Sequence, residues 1–337
     1  MKVGVIGAGA WGTTLASLAT LGAETRLWAR EPEVVETISR DRENRIFLPG
    51  FRLPDDLVVT NELEEALRNV DLVVVAVPSQ YLRSTIAAAR PFLQDRAVVV
   101  SVAKGIELKS HRRMTEVLSE ELVDHAPSSI GVLSGPNLAR EVMAGQPSAT
   151  CVAFSDHERA RTVQSLFMGD TLRVYTSSDV VGCEIGGAVK NVIAIAAGVA
   201  DGLGYGMNTK AAVITRGLAE LTRLGVALGG QPLTFLGLSG NGDLIATCSS
   251  PQSRNRRVGE EMAKARSIEE IVRGMPMVAE GVDTGPALLD LASTLGIEMP
   301  IVAMVVALLR GEIAPSEVVP ALMHRTPKAE LEGLSGG

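Results

Sequence analysis

The feature that most constrains the fold is a short apolar run at the N-terminus, followed directly by a glycine-rich turn. Residues 2–6, Lys-Val-Gly-Val-Ile, show no helical spacing and predict a β-strand, and helical periodicity begins at Thr13. The turn between them carries Gly7, Gly9 and Gly12. In such a strand, turn and helix, these glycines permit the tight turn, the close approach of a pyrophosphate and close helix packing. The pattern predicts a dinucleotide site at the helix N-terminus; a turn that only packs tightly is the alternative.

Beyond this turn, predicted strands and helices alternate over the first half of the chain. The valine-rich runs at 71–77 and 97–102 are typical of parallel strands covered by helices on both faces. From Asp179 onward no convincing strand appears, and segments with helical periodicity follow one another. The chain of 337 residues is also longer than one core usually organises. We therefore predict an α/β fold: a Rossmann-type, doubly wound and mostly parallel sheet over 1–178, an all-helical domain over 179–330, and a disordered tail over 331–337.

The composition excludes several classes of partner. A formal net charge of −7 argues against a nucleic-acid or anionic-membrane surface, so a phosphate on a small substrate needs a local basic cluster. The longest apolar runs, 192–200 and 299–309, are too short to span a bilayer, and no stable membrane insertion is expected. Cysteines without C-x-x-C spacing and widely separated histidines favour a reduced, cytoplasmic protein without a metal site. The run at 299–309 suits a dimer face or a domain core equally well, which leaves a homodimer open.

One cation stands in the middle of an otherwise apolar helical segment. Lys190 lies within residues 180–202 and is followed by Asn191, and Gly186 and Gly187 precede it by four and three positions. These glycines share a helix face with the lysine and leave room for another group to come close. Burial and a nearby cation would lower the pKa of Lys190 toward neutrality and make it a usable proton donor and acceptor. A lysine that only extends its ammonium to solvent is the alternative.

Two positions at strand ends point to a ligand pocket. Ligands of open α/β sheets gather beyond the carboxyl ends of the strands, where Lys104 follows the predicted strand at 97–102. Arg30 and Glu31 lie about 20 residues beyond the glycines, at the place that meets the adenosine ribose. Arginine suits the 2′-phosphate of NADP and an acid suits the free 2′-hydroxyl of NAD, so the sequence favours NADP and keeps NAD open. A solvated charge at Arg30 is the alternative.

A second cluster combines a glycine-rich loop with a basic helix start. Residues 237–248 include Asp243 and lead to Ser253, Arg254 and Asn255, which further arginines at 256 and 257 follow. In an acidic protein, three arginines within four positions form the local basic patch that a phosphate requires. Ser253 would cap the helix, and the helix N-terminus with Arg254 and Asn255 would hold the phosphate. A solvated basic helix is the alternative.

Seven stretches in this order together resemble the bacterial NAD(P)-dependent glycerol-3-phosphate dehydrogenase family. The resemblance covers the chain up to about His324. The stretches are Gly7-Ala-Gly-Ala-Trp-Gly12, Ser101-Val-Ala-Lys-Gly-Ile-Glu107, Leu133-Ser-Gly-Pro-Asn-Leu-Ala-Arg-Glu141, Gly187-Ala-Val-Lys-Asn191, Gly240-Asn-Gly-Asp-Leu244, Ser253-Arg-Asn-Arg-Arg257 and Val278-Ala-Glu-Gly281.

The resemblance implies reversible NAD(P)H-dependent reduction of dihydroxyacetone phosphate to sn-glycerol 3-phosphate for glycerophospholipid synthesis. It implies that Lys190 is the catalytic proton-transfer residue and that Lys104, also catalytic, lies beside both the substrate and the nicotinamide. The implied substrate-binding residues are Lys104, Gly135, Asn137, Lys190, Asn191, Asp243, Thr247, Ser253, Arg254 and Asn255. The implied cofactor-binding residues are Gly7, Gly9, Ala10, Trp11, Gly12, Arg30, Lys104, Ala139, Arg254, Val278 and Glu280.

The chemistry of the residues agrees with this family. Hydride transfer to a carbonyl carbon creates an alkoxide that needs a proton and a positive field, and with no histidine placed for this, Lys190 and Lys104 are the remaining donors. Asp243 could orient Lys190. The chain departs from the family pattern at Asn137, where Ser or Thr is usual, and at Asn241, where Leu is common. Both replacements keep or add hydrogen-bonding capacity, so they affect contact details more than the activity.

Two other functions stay open at this stage. A 3-hydroxyacid or ketopantoate-type reductase also joins a Rossmann domain to a helical one, but its basic site would have to bind the carboxylate of the substrate. A protein that senses NADP without turnover would leave Lys190, Lys104 and Asp243 unexplained.

Overall fold

The computed structural model describes residues 1–275, 277–327 and 329–330, so the tail predicted at 331–337 lies outside the described residues. The chain forms two compact units: Met1–Ala103 with Arg113–Val180, and Lys104–Arg112 with the residues from Val181 onward. The segment Lys104–Arg112 therefore packs with the second unit, although it lies within the range 1–178 expected for the first. The reason is Ile106, which is fully buried in the apolar core of the second unit.

The first unit is built on a sheet. Among the described residues, this eight-stranded sheet has the order β3-β2-β1-β4-β5-β6-β7-β8. Its strands are β1 (Lys2–Ile6), β2 (Glu24–Trp28), β3 (Val58–Thr60), β4 (Leu72–Val75), β5 (Val98–Ser101), β6 (Ile130–Ser134), β7 (Ser148–Ala153) and β8 (Leu172–Ser177). Neighbouring strands are parallel except β6 and β7, which pair antiparallel. The predicted doubly wound, mostly parallel sheet is confirmed.

Helices cover both faces of this sheet. They are α1 (Ala10–Ala19), α2 (Pro32–Asp41), α3 (Leu63–Leu67), α4 (Ser79–Ala89), α5 (Met114–Glu121), α6 (Ala139–Met143) and α7 (His157–Phe167). Because side chains alternate along a strand, Val74 of β4 enters the apolar cluster that contains Leu15 of α1, and Val73 enters the cluster that contains Leu82 of α4. Burial on both faces explains why the strands read as continuous valine runs.

The second unit is helical in its described part, which confirms the predicted all-helical domain. Its helices are α8 (Val180–Gly202), α9 (Met207–Ala227), α10 (Asp243–Ser249), α11 (Arg254–Ala263), α12 (Ile268–Arg273), α13 (Glu280–Thr294), α14 (Pro300–Leu309) and α15 (Pro315–Met323). Residues 182–200 of α8 are all buried, so this helix forms the centre of the unit. Most of α14 packs in the same core, through Ile301, Val302, Val305, Val306 and Leu308.

By length and composition alone, α8 could also cross a membrane. It has 23 residues, and 89% of its most apolar 18-residue window is buried inside the protein. The central helix of a globular core passes the same test, so this is weak evidence for a membrane span. The sequence expectation considered only the uninterrupted run 192–200, which is shorter than the helix that contains it.

Candidate active site

The predicted glycine turn lies between β1 and α1. Gly7 has a φ of +110°, a conformation that other residues rarely adopt. A Cβ atom on Gly12 would stand 1.9 Å from the carbonyl oxygen of Gly7, so only glycine lets α1 pack this closely. A Cβ atom on Gly9 would meet nothing within 4 Å. Gly9 is also the N-cap of α1 and has no side chain that could accept hydrogen bonds from the first N–H groups of the helix. Open space beside uncapped N–H groups fits a phosphate group.

A buried amide that the sequence reasoning missed holds this turn in place. Asn44, between α2 and β3, is fully buried, and its Nδ2 donates to the carbonyl oxygen of Ala8 at 2.8 Å and to Oγ1 of Thr13 at 2.9 Å. The Thr13 hydroxyl donates to the same Ala8 oxygen at 3.1 Å. The turn is therefore fixed by a residue more than thirty positions away. An asparagine in a polar loop carries no sequence signal for this role.

Other predicted site residues of the first unit lie at the starts of helices or just after strands. Ala10 and Ala139 are the first residues of α1 and α6, and Gly135 has a φ of +149° just after β6. Within the described residues, the buried Nε1 of Trp11 and both buried amide atoms of Asn137 have no hydrogen-bond partner. Buried polar atoms are normally paired, so Trp11 and Asn137 are candidates for contact with a ligand.

Arg30 follows β2 and leaves 70% of its side chain exposed. Its Nε donates to Oε1 of Glu31 at 2.9 Å, and its Nη2 contacts the same oxygen. The two residues that the sequence offers for the adenosine ribose are therefore paired with each other. A ligand with a 2′-phosphate would compete with Glu31 for the guanidinium.

In the second unit, a buried carboxylate joins two lysines. Asp243 begins α10, and its Oδ1 lies 3.0 Å from Nζ of Lys190, while its Oδ2 lies 2.6 Å from Nζ of Lys104. The Lys190 ammonium also donates to Oγ1 of Thr247 at 2.8 Å. Lys190 is 6% exposed and Asp243 is 2% exposed. The structure thus brings together four predicted site residues, which we call the lysine cluster (Lys104, Lys190, Asp243 and Thr247).

The lysine cluster changes the acidity of its members. Burial lowers the pKa of Lys190 to about 8, although the negative charge of Asp243 raises it; the Lys104 charge lowers it further. Burial alone would raise the pKa of Asp243, but the two ammonium groups outweigh burial and hold it below its ordinary value. Asp243 therefore stays ionised near neutral pH, whereas Lys190 is poised to give or take a proton.

Local packing explains how Asp243 reaches Lys190. The glycine-rich loop contains a π-helical turn, Leu238–Gly242, that runs directly into α10. A Cβ atom on Gly186 of α8 would lie 2.4 Å from the carbonyl oxygen of Ser239 in this turn. The room predicted beside Lys190 is therefore used by the loop that carries Asp243.

A second polar chain runs beside the lysine cluster. Asn191 donates through Nδ2 to the carbonyl oxygen of Lys104 at 2.8 Å and accepts through Oδ1 from Nδ2 of Asn255 at 2.8 Å. The Oδ1 of Asn255 accepts from the backbone N–H of Gly281 at 2.9 Å. These amides join the segment at 104, α8, α11 and the start of α13 in one hydrogen-bond chain. A fully paired buried chain of this kind is rigid.

The predicted basic cluster is only partly as expected. Ser253 is the N-cap of α11, and its Oγ accepts from the backbone N–H of Arg256 at 3.2 Å. Arg254 donates through Nη1 to the carbonyl oxygen of Val278 at 2.5 Å, two residues before Glu280 begins α13. The Arg256 guanidinium, however, is paired with Asp201 and Glu260, so the expectation that all three arginines contribute to the basic patch is wrong for that residue.

A glycine turn on a doubly wound sheet and a buried lysine cluster in a helical unit are features of a nicotinamide-dependent dehydrogenase. In the described part of the chain, no group of three or more His, Cys, Asp or Glu is placed to hold a metal ion. Family models described as NAD-dependent glycerol-3-phosphate dehydrogenase N-terminus and C-terminus match residues 2–160 and 179–320. The chain belongs to the NAD-dependent glycerol-3-phosphate dehydrogenase family.

Individual relatives agree over nearly the full length. The chain is 50% identical to glycerol-3-phosphate dehydrogenase (NAD(P)+) 2 of Sphingopyxis alaskensis, over 96% of each chain. It is also 50% identical to glycerol-3-phosphate dehydrogenase (NAD(P)+) of Citrifermentans bemidjiense, over 98% of each chain. A crystal structure of glycerol-3-phosphate dehydrogenase from Coxiella burnetii is 34% identical with a TM-score of 0.92, covering 96% of this chain and 99% of that one. The resemblance drawn from the seven stretches is confirmed.

Proposed function

We propose that the chain catalyses the reversible, NAD(P)H-dependent reduction of dihydroxyacetone phosphate to sn-glycerol 3-phosphate, which supplies glycerophospholipid synthesis. The observation that carries this proposal is the buried Lys190, held by Asp243 and Thr247 beside the second lysine at 104. Membership of the glycerol-3-phosphate dehydrogenase family supports the substrate and the cofactor class.

Lys190 and Lys104 divide the electrostatic and proton-transfer tasks. As the carbonyl oxygen of the substrate becomes an alkoxide, Lys190 donates a proton to it, which a pKa of about 8 permits near neutral pH. Lys104 adds a second positive charge that stabilises the negative oxygen. Asp243 orients both ammonium groups and keeps its own charge throughout. In the oxidation direction, neutral Lys190 takes the proton back.

The dinucleotide would be held by the glycine turn of the first unit. When bound, the nicotinamide supplies the hydride. The open space at Gly9 and the uncapped start of α1 fit the pyrophosphate, with Gly7 and Gly12 required by the turn itself. Further contacts are proposed for residues at helix starts and strand ends, namely Ala10, Trp11, Arg30, Lys104, Ala139, Arg254, Val278 and Glu280. We favour NADP, because Arg30 suits a 2′-phosphate.

The phosphate of the substrate would lie at the start of α11. Ser253 caps this helix, Arg254 brings a guanidinium, and Asn255 connects to Asn191 on α8. An anchored phosphate supplies binding energy that positions the reacting carbonyl without taking part in the chemistry. Gly135 and Asn137 are proposed as further contacts, and the Asn137 amide has the buried, unpaired atoms that such a role uses.

We propose that this reaction takes place in the cytoplasm, since an odd number of cysteines without C-x-x-C spacing suits a reducing compartment. The partners expected are small molecules, with neither nucleic acid nor stable membrane insertion. Sedimentation would decide between a monomer and a homodimer.

The test compares NADPH oxidation with dihydroxyacetone phosphate and with unphosphorylated dihydroxyacetone. The phosphorylated ketone should react far faster at equal concentration, and equal rates would overturn the phosphate assignment. Faster NADPH oxidation with a 2-keto or 3-keto acid would favour the reductase alternative. Tight NADP binding without NADPH oxidation by any phosphorylated ketone would favour the sensing protein. The matching family models favour neither alternative.

A further inference from the structure

Arg256 is a partly buried arginine with no part in the proposed reaction. Its Nε lies 2.7 Å from Oδ2 of Asp201 on α8, and its Nη2 lies 2.8 Å from Oε1 of Glu260. The other Asp201 oxygen lies 2.7 Å from Nζ of Lys210 on α9. The side chains of Arg256 and Asp201 are only 15% and 13% exposed. Since its charge is already met by two carboxylates, Arg256 serves to join α11 to α8 rather than to bind an anion.

The ion pair lies where these two helices pack backbone against backbone. A Cβ atom on Gly198 of α8 would stand 1.9 Å from the carbonyl oxygen of Arg256. A Cβ atom on Gly259 of α11 would stand 2.0 Å from the carbonyl oxygen of Ile195. We call this contact the glycine seam (Gly198 and Gly259). Only glycine at these two positions lets the backbones of α8 and α11 come this close, so small changes in the seam move one helix against the other.

The glycine seam connects the two ends of the proposed substrate site. Helix α8 carries Lys190, which acts at the carbonyl, and α11 begins with Arg254, which acts at the phosphate. The hydrogen bond from Asn255 to Asn191 holds the helices at one end, and the Asp201 to Arg256 pair holds them further along. On α8 the seam residue Gly198 lies between Asn191 and Asp201, whereas on α11 both contacts start from the first turn. The two contacts therefore set the position of the start of α11 against α8.

We propose that Arg256 and Asp201 are positioning residues that set the span between the Lys190 ammonium and the phosphate-binding start of α11. This inference rests on the proposed function, because it needs a substrate with a carbonyl at one end and a phosphate at the other. Loss of the ion pair frees α11 to shift against α8, which stays fixed in the core. The anchored phosphate then pulls the carbonyl away from Lys190, and a displacement of about 1 Å can cost about 100-fold in rate.

The experiment measures kcat/KM for dihydroxyacetone phosphate and for dihydroxyacetone in Arg256→Gln and Asp201→Asn. For the phosphorylated substrate we expect kcat/KM to fall about tenfold or more, since anchoring now misplaces the carbonyl. For dihydroxyacetone we expect a change within about twofold, because it does not use the phosphate site. The matched control is Arg266→Gln, which removes an exposed arginine of the same unit that is also paired with an acid, Glu261, and should leave both values unchanged. Asp201→Asn keeps the size of the side chain and serves if Arg256→Gln fails to fold.

A double mutant tests whether the ion pair acts through Arg254. In an Arg254→Gln background, Arg256→Gln should add little further loss with dihydroxyacetone phosphate, since the anchor it positions is gone. An equal fall for both substrates, no fall for either, or full additivity in the double mutant would overturn the inference. Failure of the proposed function is seen separately, as equal rates for the two substrates in the unsubstituted enzyme.

Discussion

The glycine turn of the first unit and the lysine cluster of the second are assembled in opposite ways. The turn and the first residues of α1 are consecutive in sequence, from Gly7 to Gly12, directly after β1. The lysine cluster joins three separate segments, with Lys104 and Asp243 139 positions apart. The turn therefore depends on local backbone geometry, and the cluster depends on tertiary packing. If each serves the role proposed for it, substitutions in the turn will change cofactor binding and substitutions in the cluster will change the chemical step.

The largest effect is expected for Lys190→Ala. Because this variant removes the proposed proton donor, kcat should fall by about 10²- to 10⁴-fold, the range of general acid catalysis. Affinity for NADPH, measured by quenching of protein fluorescence or by calorimetry, should stay within about twofold, since the turn is untouched. Lys109→Ala, at an exposed lysine of the same unit, is the control and should leave kcat unchanged. An unchanged kcat in Lys190→Ala would remove this residue from the mechanism.

The counterpart in the turn is Gly9→Val. The added side chain meets open space in the protein, so the melting temperature should change little, but it occupies the space proposed for the pyrophosphate. A steric cost of about 1–3 kcal/mol corresponds to a KM for NADPH raised about 5- to 150-fold. Gly22→Ala, just beyond α1 with its nearest neighbour at 3.9 Å, is the matched control. A normal KM for NADPH in Gly9→Val would place the dinucleotide elsewhere.

The same comparison explains what could be predicted from the sequence. The glycines of a turn made of adjacent residues can be predicted from the sequence, and Gly7, Gly9 and Gly12 each have the geometry that their motif requires. The sequence also marked Lys190 and Asp243 as unusual, because charges in apolar or glycine-rich surroundings need partners. Their distances, and the second bond from Asp243 to Lys104, follow only from packing.

Residues whose role is to hold others gave no usable signal. Asn44 lies in a polar loop, and Arg256 looked like part of a basic patch until the structure paired it with Asp201. Helix α4 was also not predicted, although Leu82 and Ile86 follow the spacing of a buried helix face. The antiparallel pairing of β7 with β6 is a long-range contact, and no local sequence pattern predicts it.

The pH dependence sharpens the comparison, because the lysine cluster contains Lys190, whose pKa is about 8, whereas the glycine turn, Gly7 to Gly12, has no titratable side chain. Reduction needs protonated Lys190, so kcat for dihydroxyacetone phosphate should fall about tenfold per unit as pH rises above about 8. Oxidation of sn-glycerol 3-phosphate needs neutral Lys190, so its kcat should fall as pH decreases below the same value. In Asp243→Asn the carboxylate that raises the Lys190 pKa is lost, and both limbs should move to lower pH. A shift to higher pH, or a profile without a limb near 8, would contradict this assignment.

The smallest effect is expected at Arg30, which was predicted from its local position in the sequence and is paired with Glu31 in the structure. The sequence placed Arg30 and Glu31 at the ribose, and the structure adds that each neutralises the other. Arg30→Ala removes the partner of a 2′-phosphate and also frees Glu31 for the 2′-hydroxyl of NADH. The ratio of kcat/KM for NADPH to that for NADH should fall about tenfold or more, the value of one or two charge-assisted hydrogen bonds. Glu31→Gln should move the same ratio upward, because it releases the Arg30 guanidinium, and Arg68→Ala, an exposed arginine of the same unit, should leave it unchanged. If both substitutions at 30 and 31 leave the ratio unchanged, cofactor choice is set by residues outside this strand end, and the local prediction fails where it was most detailed.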